Sequence, residues 1–137
     1  MDSSAAKRQV EEIAREPDFE FRLHDLVSLW EQTKDGVELL EPIFRFIEEH
    51  GDLDFGSPGR LVHFAENFRG CGYERELLNW LNRRPTAHTA WMLNRLINGA
   101  TDPVERAAFV GAHRQARAHS ASDPHARSVI DIFLKDK

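Results

Sequence analysis

Apolar residues recur at three- and four-residue intervals along almost the whole chain, a spacing that places side chains on one face of a helix. Leu23, Leu26, Val27 and Trp30 share such a face, as do Val37, Leu40, Phe44 and Ile47. Leu61, Val62, Ala65 and Phe68 form a third stripe, and Leu77, Leu78 and Leu81 a fourth. Ala90, Trp91, Asn94 and Ile97 continue the series with one polar interruption. Ala107, Ala108 and Val110 follow, then Ile130, Phe133 and Leu134. No alternating run of β-branched residues and no Asn-Gly hairpin turn competes with this pattern. The expected class is all-α.

Helix punctuation agrees with the periodicity. Ser57-Pro58, Asp102-Pro103 and Asp123-Pro124 each place a capping side chain before a proline. The cap oxygen accepts a backbone N–H that has no partner inside the helix, and proline has no N–H to leave unpaired there. Asp102 with Glu105 three residues on resembles a capping box. Thr86, after Pro85, is a cap for the segment through Asn98, with Gly99 as its stop. Pro42 admits two readings: a separate short helix from Glu41-Pro42, or a kinked helix over 36–50. The unbroken apolar spacing favours the kink.

Short connections imply antiparallel neighbours. "DLVSLW" at 25–30 and "RLVHFA" at 60–65 echo each other at an offset of 35 residues, in the range of helical-hairpin repeats. The expected architecture is a set of antiparallel helical hairpins stacked as a short HEAT-like right-handed array, or an irregular helical bundle. At 137 residues it reads as one domain. An N-terminal helix would occupy 1–16, core hairpins 18–100 and a C-terminal helical pair 101–137.

Few chemistries fit. The single cysteine, Cys71, excludes an intramolecular disulfide and a cysteine-rich zinc site. No run approaches 18 apolar residues and the first residues lack an apolar signal region, so a soluble, cytoplasmic protein with no membrane partner is expected. Asp54-Phe55-Gly56 matches the magnesium-binding triplet of protein kinases, but no glycine-rich strand, paired lysine or catalytic loop accompanies it. The triplet reads as a helix connection, as does Gly70-Cys71-Gly72. Seven histidines, at 24, 50, 63, 88, 113, 119 and 125, show no metal-ligand spacing. No nucleophile elbow is present. The reading is a binding protein with no catalytic residue, cofactor or metal.

Charge is unevenly spread. Residues 1–56 hold 15 Asp/Glu against 6 Lys/Arg, a balance of −9; residues 57–137 hold 8 against 12, a balance of +4. An acidic surface repels nucleic acid and attracts basic partners. Two clusters stand out as partner-binding candidates. One is acidic: Glu31, Asp35, Glu38, Glu48, Glu49, Asp52 and Asp54. The other lies in "RRPTAHTAWMLNRLINGA", where His88, Trp91 and Arg95 interleave polar and aromatic groups. Asn94 on the apolar stripe needs hydrogen-bond partners, or it costs about 1–3 kcal/mol.

The segments "DFEFRLHDLVSLW", "DFGSPGRLVHFAENF" and "RRPTAHTAWMLNRLING", within residues 17–100, resemble small α-helical immunity proteins of bacterial polymorphic-toxin and contact-dependent growth inhibition systems. The resemblance implies a HEAT-like or irregular helical fold, no cofactor, and a cognate toxin domain as partner. Such toxins are commonly basic nucleases, which the acidic surface would engage without direct contact to nucleic acid. Two other classes stand beside this reading. A helical-repeat nucleic-acid-binding protein of glycosylase type would use Arg60, Arg69, Arg75, Arg83, Arg84 and Arg95. A generic interaction scaffold would carry its acidic face only for solubility.

Overall fold

A computed structural model of the chain describes residues 3–32, 36–50, 59–119, 121–122 and 124–135. Among them are eight α-helices and no strand, so the fold is all-α: α1 (Ser3–Ala14), α2 (Phe19–Trp30), α3 (Leu40–Glu49), α4 (Arg60–Glu66), α5 (Tyr73–Arg83), α6 (Ala87–Gly99), α7 (Pro103–Ala118) and α8 (Pro124–Leu134). No helix among these residues is long and apolar enough to cross a membrane. The chain gathers into two compact units, Met1–Glu76 and Leu77–Lys137, with the division falling inside α5. Each unit has its own core.

In the first unit α1 packs on α2 and α3, and α4 packs on the same two helices. The stripe read from the sequence on α2 is its buried face: Leu23, Leu26, Val27 and Trp30 are all in the core. The Trp30 and Phe64 rings lie 5.7 Å apart, joining α2 to α4. The two echoing segments are therefore side by side, with Leu26 and Val27 buried in one and Leu61 and Val62 in the other. Gly36 leads into a 3-10 turn, Val37–Leu39; an added Cβ there would meet Phe68 Cζ at 2.8 Å, so a side chain requires the Phe68 ring to shift.

Pro42 corrects the sequence reading. The helix does not run through it with a kink; α3 begins at Leu40, after the 3-10 turn, and Pro42 sits in its first turn. An N–H there has no intrahelical acceptor, so proline costs nothing by lacking one. The expected Ser57 cap and the Asp54-Phe55-Gly56 connection lie outside the described residues, as does Asp123, although Pro124 does open α8. Gly70-Cys71-Gly72 is a turn between α4 and α5, and both glycines take the left-handed backbone, at φ 79° and 109°.

In the second unit α6, α7 and α8 pack pairwise against one another. Thr86 caps α6 as expected, and its partner is Thr89: Thr86 Oγ1 accepts from the Thr89 N–H at 3.1 Å, and Thr89 Oγ1 accepts from the Thr86 N–H at 3.1 Å. Both threonines are buried, so neither amide has water as a substitute. Thr86→Ala should lower unfolding free energy by about 1–2 kcal/mol. Urea denaturation with an unchanged m-value would show it, and Thr86→Ser should retain most of the stability.

Two caps differ from the reading. Asp102 accepts only from the Val104 N–H, at 3.2 Å, without the reciprocal Glu105 bond of a capping box. Gly99 is the last residue of α6, and the helix ends by extending at Ala100 (ψ 128°) instead of by a left-handed glycine. The buried face of α7 also differs. Phe109, His113 and Ala116 are buried, whereas Ala107 and Ala108 are exposed. The buried His113 donates from Nε2 to the Ala90 carbonyl at 2.8 Å and stacks on Phe133, with centroids 5.7 Å apart.

Candidate partner-binding surfaces

The charge division follows the structural one. The first unit carries 18 Asp/Glu against 9 Lys/Arg, a balance of −9, and the second 5 against 9, a balance of +4. Within the acidic unit, however, the described carboxylates among those singled out from the sequence do not form one free face. Glu31, at the end of α2, lies 2.6 Å from the Arg60 guanidinium of α4. Arg60 also donates to Ser28 Oγ at 3.3 Å. Glu49 is exposed but lies 3.0 Å from Lys7 of α1. Glu48 beside it is half-buried. The Arg45 guanidinium is held above its ordinary range, first by its hydrogen bond to Glu41 and further by Glu49 and Glu48. Glu38 is exposed on the 3-10 turn, where it lines a hollow of about 380 Å³ with Glu41, Cys71, Arg75 and Glu76. Asp35, Asp52 and Asp54 lie outside the described residues.

Glu31 and Glu49 are thus internal ties as much as surface charge. Lys7–Glu49 fastens α1 to the end of α3, and a second contact does the same: His50 Nε2 lies 2.9 and 3.0 Å from the two Glu11 oxygens. The His63 and Arg69 side chains likewise share Glu66. A carboxylate already holding a cation of its own chain has less field to offer a partner.

The outer face of α2 is different. Phe21 is 80% exposed and Leu29 59% exposed. At eight positions apart they project from the same side of the helix. Asp25 lies between them, one turn from each, and Glu20 precedes Phe21; both carboxylates are exposed. Neither Glu20 nor Asp25 has an ion pair among the described residues, whereas Asp18 at the helix start is taken by Arg22 at 2.9 Å. That contact, chiefly the hydrogen bond, holds the Arg22 guanidinium above its ordinary range. Two large apolar side chains flanking Asp25, with Glu20 beside Phe21, make a surface in which apolar and acidic groups alternate. The sequence signal for it was available: Phe21 and Leu29 are the apolar residues of α2 that fall off the stripe of Leu23, Leu26, Val27 and Trp30.

In the second unit, His88 and Trp91 do come together, lining a hollow of about 370 Å³ with His125, Val129, Ile132 and Phe133 of α8. Ile132 is 68% exposed there. Arg95 follows Trp91 by one turn and is half-buried, and does not line the hollow. Asn94 Oδ1 is buried and takes no donor from the described residues.

No known family, curated protein or solved structure matches the chain. Its surfaces must be read from their own chemistry. Among the described residues no three His, Cys, Asp or Glu side chains come together as a metal-ligand set. Three of the histidines bond within the protein: His113 to Ala90, His50 to Glu11, and His119 Nδ1 accepting the Ala121 N–H at 2.9 Å.

Proposed function

We propose that this protein works by binding another protein, and that it is an immunity protein that neutralises a basic toxin domain of nuclease type in the bacterial cytoplasm. The observation that carries the reading is the outer face of α2, where Phe21 and Leu29 stand exposed and Glu20 and Asp25 make no ion pair among the described residues. Exposed aromatic and aliphatic side chains interleaved with carboxylates have the composition of an interface anchor for a basic partner. The −9 balance of the unit that carries them would steer a basic partner and oppose a polyanion. The binding surface in this reading is centred on α2, with the exposed Glu38 adding long-range field. Inhibition follows from covering the partner's phosphate-binding cleft, with no chemistry performed by this chain.

The test is co-expression with a toxin domain encoded beside this protein's own gene, reading cell survival and binding by calorimetry. Phe21→Ala with Leu29→Ala should weaken binding by about 2–4 kcal/mol, the range of anchor residues, and abolish protection. Asp25→Lys should slow association and flatten its salt dependence. Protection and affinity left intact by all three changes would exclude α2 as the binding face.

A further inference from the structure

The second unit carries an uncovered surface of the opposite sign. Along α7, Arg106, Ala107, Val110 and Arg114 fall on one face, and with Ala100, Thr101 and Pro103 they line a groove of about 520 Å³. Polar groups supply the larger share of its lining, with the small apolar side chains of Ala107 and Val110 among them. Two of its lining side chains are arginines about 12 Å apart along the helix axis, from eight residues at 1.5 Å each. Neither arginine meets a carboxylate among the described residues, although acidic groups lie close in sequence. Asp102, one turn before Arg106, engages the Val104 N–H with Oδ1. Asp131 of α8 is occupied by Arg117. Glu105 is exposed and makes no ion pair among the described residues. The groove therefore presents two guanidinium groups that make no ion pair among the described residues, with Ala107 and Val110 between them.

We infer that this groove binds an acidic peptide segment, two carboxylates about two helical turns apart with an apolar side chain between them. Charge complementarity fixes the sign of the occupant: paired guanidinium groups favour carboxylate or phosphate, to which they donate in bidentate fashion. The lining selects between those sources. Single-stranded nucleic acid is held by aromatic stacking along a continuous basic track, and no aromatic side chain lines this groove. Ala107, Val110 and Pro103 match an aliphatic side chain instead. The site is separate from the α2 face, since it lies wholly within residues 100–114, and it takes partners of opposite charge.

The experiment is fluorescence anisotropy on the full chain. The probe is a labelled helical peptide of about 15 residues, long enough to hold a helix, with two glutamates set two turns apart and a leucine midway. Binding should weaken as salt rises. Affinity should fall about tenfold or more in the Arg106→Glu, Arg114→Glu double variant, and a probe with glutamine at both glutamate positions should fail to bind. Arg106→Gln with Arg114→Gln gives the same comparison without charge reversal, and far-UV circular dichroism checks that the helices are kept. No binding by the acidic probe, or equal binding by the double variants, overturns the inference. Tighter binding of oligothymidylate, lost in the same variants, would assign the arginines to phosphate and overturn it also. Toxin protection through α2 should be unaffected by the Arg106 and Arg114 changes, so the two surfaces are tested independently.

Discussion

Trp30→Ala should cost the first unit about 3–5 kcal/mol of unfolding free energy, the range for deleting a buried tryptophan. Trp30 is 1% exposed. It unites three helices: it belongs to α2, its ring lies against Phe64 of α4, and its Nε1–H donates to Gln9 Oε1 of α1 at 3.4 Å. Removing the indole opens a cavity among elements that cannot close it without moving together, and leaves Gln9 without that donor. Domains of this size have only about 5–15 kcal/mol in total, so the variant should sit near the edge of stability at 37 °C. Trp30→Phe keeps the aromatic volume in part and should lose less than half as much. Urea denaturation followed by circular dichroism makes the comparison. A loss under about 1 kcal/mol for the alanine variant would mean that α2 is not packed through this residue.

His113→Ala should have an effect of similar size in the second unit, about 2–4 kcal/mol, from ring volume and a buried hydrogen bond lost together. The ring is wholly buried. It is stacked on Phe133 of α8 while its Nε2–H reaches the Ala90 carbonyl of α6, so one side chain of α7 joins both neighbouring helices. Because a carbonyl only accepts, Nε2 must carry the proton. His113→Phe separates the two contributions: it retains the stacking volume and removes the donor. That variant should recover more than half of the loss, since the main penalty is the cavity. Thermal denaturation of the two variants checks the order, and a phenylalanine variant no more stable than the alanine one would place the main contribution in the hydrogen bond.

The all-α class was legible because helix periodicity is local: Leu23, Leu26, Val27 and Trp30 are buried as their spacing requires, and Thr86 caps where its position after Pro85 indicates. The errors arise where a local rule meets tertiary context. On α7 the apolar residues 107, 108 and 110 suggested the core face, yet the buried set is Phe109, His113 and Ala116, because a histidine with a hydrogen-bond acceptor inside the core can be buried as well as a leucine. Pro42 misled because its spacing is compatible with a kink and with a first turn alike, and only the 3-10 turn before it decides. The acidic candidates show a deeper limit. Glu31 and Glu49 were selected for charge, and nothing in the sequence places Arg60 or Lys7 within reach of them. Pairing between distant positions is invisible to a one-dimensional count of charges. The exposed pair Phe21 and Leu29 was legible in retrospect, because a residue off the buried stripe must face elsewhere.

Cys71 is exposed in the turn between α4 and α5, and the chain has no second cysteine. A maleimide dye or nitroxide would therefore attach at one known point without mutagenesis, beside the hollow shared by Val37, Glu38 and Arg75. In an oxidising buffer, a disulfide between two copies of the chain can only join them through Cys71 at that turn, so purification calls for a reductant from the first step.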